Sequence, residues 1–368
     1  MTRAHFNPMT PLLSIFALTL VLTAALVLVS QGAAQASFDR KAMLENIALN
    51  VIVPCYDRFA EQAAVLDGAA RRLTDAPGAD SLAAAKTAWN DAAFAWAQCE
   101  PYAFGGLEAK ILRNQINKTP VNPLQIEKIL EDGEPRDAAF TENLGSSARG
   151  VGTLAYFLFS QDEQTVLTAL QAEKRAAYLS ALTADVHGKA AALVAFWSPT
   201  YRDYAVTFKA ADQAGGSVKG SFNMLVNEII GVLEQTAQTK LTTPVGEPDP
   251  AAVQHVRGNL LGAQRLFMGA DGSGVDDYLT FLGAGELAES VTARFGAAVA
   301  KLDALTEAVP TTNDALKEVS RVYDDIETLL VLTSVDAANQ LGVTVTFNDS
   351  DGDYSVEGQG VEGRGVES

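Results

Sequence analysis

Apolar residues recur every three or four positions along most of this chain, and this spacing constrains the fold more than any other feature. Such a period places the apolar side chains on one face of a helix. One segment near the C-terminus shows it as a single stripe of Ala315, Val319, Val322, Ile326, Leu329, Thr333 and Ala337. Strand-like alternation is confined to residues 343–347. The pattern predicts an all-α protein built from helical bundles.

The first 36 residues have the pattern of a secretion signal. A short polar start containing Arg3 precedes an apolar run that continues to Val29, and Ala34-Gln35-Ala36 forms an A-x-A cleavage site. An uncleaved membrane anchor is the alternative, because the apolar run is long. Either interpretation places the rest of the chain outside the cytoplasm, and we expect the periplasm or cell envelope. No later stretch is apolar enough to span a bilayer.

The charge and the scarcity of metal-binding residue types exclude several classes of protein. There are 45 acidic and 27 basic residues, giving a net charge of -18, which argues against nucleic-acid binding. Two cysteines and three histidines rule out a cysteine-rich zinc module. The acidic balance is compatible with capture of a cation, and equally with solubility alone.

The two cysteines flank a predicted helical hairpin. Cys55 and Cys99 each lie 22 positions from Pro77, in a turn between two amphipathic segments. In an antiparallel pair of helices this symmetry brings them to the same level, and an exported protein meets oxidising conditions. We therefore expect a disulfide, with two buried thiols as the alternative.

A weak internal repeat suggests two domains. The segment from Ala148 to Phe159 resembles the one from Val256 to Phe267, although chance similarity among common residues is the alternative. Duplication predicts an N-terminal bundle over 37–210 and a C-terminal bundle over 211–350, followed by a disordered acidic tail at 351–368.

A few polar residues are candidates for a binding site. Glu100 and Tyr102 lie where a helix ends in an aromatic loop. Arg149 and Arg257 occupy related repeat positions that suit an anion, with tight bundle packing as the alternative. Carboxylates at Asp349, Asp351 and Asp353 suit a hard cation such as calcium, or form a solvated turn. We interpret both mature histidines, His187 in a polar helical stretch and His255 in the second repeat, as surface or packing residues, with a ligand role as the alternative.

The order of several motifs resembles the imelysin-like family of bacterial envelope proteins. The matching segments are the secretion signal, 89–105, 149–159, Asn227, Lys240-Leu241 with Pro244, and 341–353. The resemblance implies an all-helical protein with two bundles related by duplication. It also implies a role in iron uptake, in a family whose members were first classed as metallopeptidases.

The metal motif of that family, G-x-H-x-x-E, is not retained in this chain. The corresponding positions hold Gly150, Gly152 and Ala155, so that only the first glycine matches. Glycine and alanine side chains have no lone-pair donors for a metal ion. We therefore do not transfer the metal site or the peptidase activity, and we expect no catalytic residues.

The sequence thus predicts an exported, non-catalytic binding or accessory protein in the acquisition of iron or another metal. Its ligand, a small molecule or a metal ion such as iron or calcium, is expected between the two bundles. The residues predicted to line this cleft are Glu100, Tyr102, Arg113, Arg149, Asn227 and Arg257. The alternatives are a metal-dependent hydrolase with non-standard ligands, and a structural protein acting through an envelope partner.

Overall fold

A computed structural model describes residues 37–102, 107–132, 138–198, 203–210, 220–239, 241, 249–307 and 312–346. The predicted signal segment, the acidic tail and the carboxylates Asp349, Asp351 and Asp353 lie outside these residues. The described residues from Arg40 onward belong to one compact unit, and 37–39 to another. The proposed boundary at residues 210 and 211 borders a stretch outside the described residues, so the division into two domains stays a prediction.

The described chain is helical and contains no β-strand, as the apolar period predicts. In the N-terminal part the α-helices are α1 (Arg40–Asn46), α2 (Val53–Asp75), α3 (Ala79–Cys99), α4 (Leu107–Ile116), α5 (Pro123–Glu131), α6 (Ala138–Glu142), α7 (Gly150–Phe159), α8 (Glu163–Ala169), α9 (Glu173–Trp197) and α10 (Tyr204–Ala210). In the C-terminal part they are α11 (Ser221–Gln238), α12 (Pro250–Met268), α13 (Val275–Phe281), α14 (Gly285–Glu307), α15 (Thr312–Val331) and α16 (Ala338–Leu341). Two π-helical turns, Ile47–Ile52 and Leu332–Ala337, make α1 continuous with α2 and α15 continuous with α16. Among the described residues, no helix is both long and apolar enough to cross a membrane.

The hairpin of α2 and α3 is the centre of the N-terminal part. Both helices are long and amphipathic, and α9 packs along α2 while α7 packs against α3 and α9. Cys55 and Cys99 form the expected disulfide, with their Cα atoms 5.7 Å apart. Trp96 and Phe59 lie fully buried against each other inside this bundle.

Helices α11, α12, α14 and α15 form the core of the C-terminal part, and α12 also packs against α3. Two glycines permit this close contact between α12 and α3. A Cβ atom at Gly258 would lie 2.5 Å from the Cβ of Ala97, and one at Gly262 would lie 2.3 Å from the carbonyl oxygen of Gln98. Any larger residue would push the two helices apart.

The structure divides some of the helical segments that the sequence joins. The apolar pattern over 138–160 contains a break, because Gly150 begins α7 with a φ of 79°, a left-handed conformation that glycine adopts readily. The pattern over 163–197 is interrupted between Ala169 and Glu173. Residues 343–346 form no strand, and the side chain of Asn227 binds the Thr344 carbonyl and the Thr346 amide.

Candidate functional site

Glu100 lies where α3 ends, and it is only 3% exposed. Its Oε2 atom lies 3.2 Å from Nε2 of His255 and accepts a hydrogen bond of 3.3 Å from Nδ2 of Asn259. Its Oε1 atom lies 3.7 Å from Nε of Arg113. His255 and Asn259 are one turn apart on α12, whereas Arg113 lies on α4. The packing of α12 against α3 therefore surrounds this carboxylate with donors, and we call these residues, with Tyr56 and Tyr102, the Glu100 cluster.

Opposite charges keep the buried acid ionised. Burial raises the pKa of Glu100, but the charge and hydrogen bond of His255, the charge of Arg113 and the hydrogen bond of Asn259 together lower that pKa to about 2. Burial lowers the pKa of His255, yet the charge of Glu100 and its hydrogen bond outweigh burial and raise that pKa above 6.5. The pair is therefore a carboxylate with an imidazolium at mildly acidic pH.

Two tyrosines complete the Glu100 cluster. Tyr102 donates a hydrogen bond of 3.1 Å to the carbonyl oxygen of Gly262, and its ring packs edge-on to Tyr56. Burial raises the pKa of Tyr56 well above 10, and electrostatic interactions with Tyr102 and Glu228 raise it further. The hydroxyl of Tyr56 therefore stays protonated. Tyr56 directly follows Cys55, and Glu100 directly follows Cys99. The disulfide thus ties together the two backbone segments that carry these side chains.

The Glu100 cluster contains polar atoms without a partner. Within the part of the chain that the structure describes, the buried Tyr56 hydroxyl and Oδ1 of Asn259 make no hydrogen bond. Such atoms cost about 1 to 3 kcal/mol each when nothing satisfies them, so native proteins usually place water or a ligand there. The arrangement can therefore hold a polar group of a ligand.

Three of the six predicted binding residues meet in the Glu100 cluster, namely Glu100, Tyr102 and Arg113. The side chain of Arg113 also reaches α11, where its Nη2 donates a hydrogen bond of 2.7 Å to Oε1 of Gln235. No sequence pattern indicated Tyr56 or Asn259, and the pattern around His255 indicated a surface or packing position. The i, i+4 spacing of His255 and Asn259 on one helical face was the available signal.

Arg149 and Arg257 occupy unlike positions in the structure. Arg149 precedes α7, is 1% exposed, and its guanidinium binds both carboxylate oxygens of Asp185. Arg257 lies inside α12, where it pairs with the half-exposed Asp303 and sits 5.0 Å from the ring centre of Phe94. Asn227 lies elsewhere on α11, where its side chain binds the backbone of Thr344 and Thr346. A ligand role for these three residues stays a prediction.

The positions of the family metal motif do not fit a metal ion. Gly150 and Gly152 lie in the first turn of α7 and Ala155 in the next, and their side chains offer no donor. The space beside Gly152 is already occupied, because a Cβ there would lie 3.0 Å from Cγ1 of Val121. Among the described residues, no three His, Cys, Asp or Glu side chains are grouped closely enough to hold a metal.

Comparison with known proteins identifies relatives along most of the chain. Residues 52–341 match the family model described as Imelysin. Iron-regulated protein A of Synechococcus elongatus is 23% identical over 246 residues, which cover 63% of this chain and 65% of that protein. The chain therefore spans slightly less than two thirds of that relative's length.

Two solved structures share the fold. One is an imelysin-like protein from Psychrobacter arcticum, with a TM-score of 0.66 and 18% identity, covering 83% of this chain and 96% of that one. The other is a putative iron-regulated protein A precursor from Parabacteroides distasonis, with a TM-score of 0.63 and 17% identity, covering 82% and 96% of the two chains. At these identities the similarity establishes the helical architecture alone.

Proposed function

Because this chain belongs to the imelysin family, we propose that it is an exported envelope protein that binds a small ligand in iron acquisition and does not cleave peptides. The link to iron is supported by the name of its relative from Synechococcus elongatus, iron-regulated protein A. Export to the periplasm is supported by the secretion-signal pattern of residues 1–36 and by the Cys55–Cys99 disulfide. Such bonds persist mainly in oxidising compartments.

The observation that carries the proposal is the pair of unsatisfied atoms in the Glu100 cluster. The Tyr56 hydroxyl can donate one hydrogen bond and Oδ1 of Asn259 can accept one, and no described residue meets either. Residues of α2, α3, α4 and α12 contribute to this point, so a ligand here would contact both parts of the chain. Of the six residues that the sequence predicts to line the cleft, Glu100, Tyr102 and Arg113 lie here.

The charges of the Glu100 cluster favour a polar organic ligand over a bare cation. The Glu100 carboxylate is already paired with His255 and Arg113, so an incoming metal ion would have to displace both cations. Iron would therefore reach this site as a complex whose ligand supplies the hydrogen-bonding groups.

The absence of peptidase chemistry is proposed from the residues of the metal motif. Metal-assisted hydrolysis needs an ion that activates water and a general base near it. Gly152 and Ala155 supply neither, and Val121 fills the adjoining space.

The test uses full-length protein purified from the envelope of its host. Native mass spectrometry and metal analysis should find a small molecule bound to wild type, and Tyr56→Phe should reduce its occupancy about tenfold, an effect of about 1.4 kcal/mol. Tyr204→Phe is the matched control, because Tyr204 stacks on Phe196 outside the Glu100 cluster. A stoichiometric transition metal whose removal abolished peptide cleavage would instead support a metal-dependent hydrolase.

A further inference from the structure

A second group of buried charges surrounds Asp185 on α9. Arg149 donates from Nη2 to both carboxylate oxygens, at 2.8 Å and 3.0 Å, and Lys189 donates to Oδ1 from one turn further along the helix. Arg149 is 1% exposed and Lys189 is 6% exposed. Two buried cations thus share one buried anion, which leaves a net charge of about +1 in a low-dielectric environment.

The missing negative charge comes from Glu142, at the end of α6. Its Oε1 atom lies 3.4 Å from Nζ of Lys189 and 4.0 Å from Nη2 of Arg149. Unlike its partners, Glu142 keeps 66% of its side chain exposed. A contact of this length to an exposed side chain is weak, so another carboxylate can replace that of Glu142 at modest cost.

A cavity of about 620 Å³ opens beside this position, between α4, α6 and α9. Its lining includes the charged residues Lys189, Asp185 and Glu142 and the polar residues Gln115, Thr141 and Ser180. Apolar residues complete it, among them Leu112, Ala181 and Ala192. Gly188 also lines the cavity, and a Cβ there would meet no atom within 4 Å among the described residues. The space has the size of an ordinary small-molecule site.

We propose that this cavity binds a small organic monocarboxylate whose head group takes the place of the Glu142 carboxylate on Lys189 and Arg149. The net charge of the buried triad calls for a single negative charge. The apolar part of the lining, formed by Leu112, Ala181 and Ala192, calls for a short hydrocarbon body behind the head group. This site shares no residue with the Glu100 cluster, so it does not depend on the proposed function.

The first experiment measures binding of pentanoate and of its neutral isostere pentanamide by calorimetry on the full chain. Wild type should bind pentanoate about tenfold more tightly than pentanamide, a difference of about 1.4 kcal/mol. Equal binding of the two probes, or no binding of pentanoate, overturns the proposal.

Filling the cavity tests the location of the site. Gly188→Leu places a side chain in the open space while improving the helix propensity of α9, so the protein should remain folded and lose pentanoate binding. Gly296→Leu is the matched control, because Gly296 is also an exposed helical glycine with open space beside it. Retention of binding by Gly188→Leu overturns the proposal.

Removing the competing carboxylate tests its role. Glu142→Gln should tighten pentanoate binding about threefold, since the probe then no longer competes with an internal charge. Glu289→Gln makes the same charge change at an exposed position of α14 and should leave binding unaltered. Weaker binding by Glu142→Gln than by Glu289→Gln overturns the assignment.

Discussion

The Glu100 cluster and the Asp185 triad are both buried groups of charges, but their hydrogen bonding differs. In the triad, both oxygens of Asp185 accept charge-assisted hydrogen bonds from Arg149, and Lys189 adds another. In the Glu100 cluster the acid is paired with a titratable histidine, and two neighbouring polar atoms have no partner in the described chain.

This difference indicates that Asp185 itself mainly stabilises the fold, whereas the Glu100 cluster retains the capacity to bind a polar group. Asp185 accepts hydrogen bonds from two buried cations and holds the start of α7 against α9, so its own oxygens are not available to a ligand. The carboxylate proposed above would bind to Lys189 and Arg149 in place of Glu142. A cluster with unsatisfied atoms still has hydrogen bonds to make. Four measurements test this contrast.

The largest effect is expected from Asp185→Ala. Removing this acid leaves Arg149 and Lys189 buried without their partner, so the free energy of unfolding should fall by about 4 kcal/mol. Urea denaturation measures it. The control is Asp303→Ala, which removes the partner of Arg257 at a site where Asp303 is 42% exposed and should cost less than about 1 kcal/mol. Equal losses would show that the two arginine pairs do not differ in burial energetics.

Replacing both cysteines with alanine should lower the free energy of unfolding by about 3 kcal/mol, since the bond closes a loop between positions 44 residues apart. Because Tyr56 and Glu100 directly follow the two cysteines, the Glu100 cluster should loosen as well. The pKa of His255, followed by NMR, should then move back toward 6.5. A variant that kept the wild-type histidine pKa would show that helix packing alone positions the cluster.

Stability should depend on pH through the Glu100–His255 pair. The lowered pKa of Glu100 stabilises the fold above pH 4.5, and this contribution is lost as the pH falls toward 2. The raised pKa of His255 stabilises the fold below pH 6.5, and this contribution is lost as the pH rises past the pKa of His255 in the folded protein. The pair therefore contributes most between about pH 4.5 and 6.5.

Between pH 6 and pH 3, the free energy of unfolding of wild type should fall by about 2 kcal/mol more than that of Glu100→Gln, because the variant has no carboxylate to protonate at this position. Denaturation at a series of pH values measures this difference. The two proteins would give parallel pH profiles if Glu100 were not held ionised by its neighbours.

The smallest effect is expected from restoring the family motif. Gly152→His with Ala155→Glu should lower stability by about 1 kcal/mol, because the new imidazole meets Val121. Adding Val121→Ala should recover that loss. Thermal unfolding with and without zinc checks both points, and zinc-dependent stabilisation before Val121 is shortened would contradict the steric argument.

The helices and the disulfide were predictable because their causes are local. The apolar period places α2 and α3 on either side of the turn at Pro77, and equal spacing from that turn brings Cys55 opposite Cys99. The helix break before Gly150 was harder to predict from the sequence, because apolar residues on both sides of it continue the helical period. The break arises from the positive φ angle of Gly150.

The composition of the Glu100 cluster was only partly predictable. Glu100 and Tyr102 were identifiable as polar residues in a loop at a helix end, but their partners come from distant segments. Asn259 binds Glu100 from 159 positions away. No local pattern records that α12 docks on α3 through Gly258 and Gly262 and thereby brings His255 to the acid.

Residue types and their periods were enough to establish the helical class, the cysteine pairing and the lack of metal donors at Gly152 and Ala155. Helix packing alone decided which charges are buried together, placed Arg149 in the Asp185 triad and left the Tyr56 hydroxyl without a hydrogen-bond partner among the described residues. The reason is that helix formation and donor chemistry depend on residues near one another in the chain. The environment of a buried charge depends on contacts between helices that are far apart in sequence.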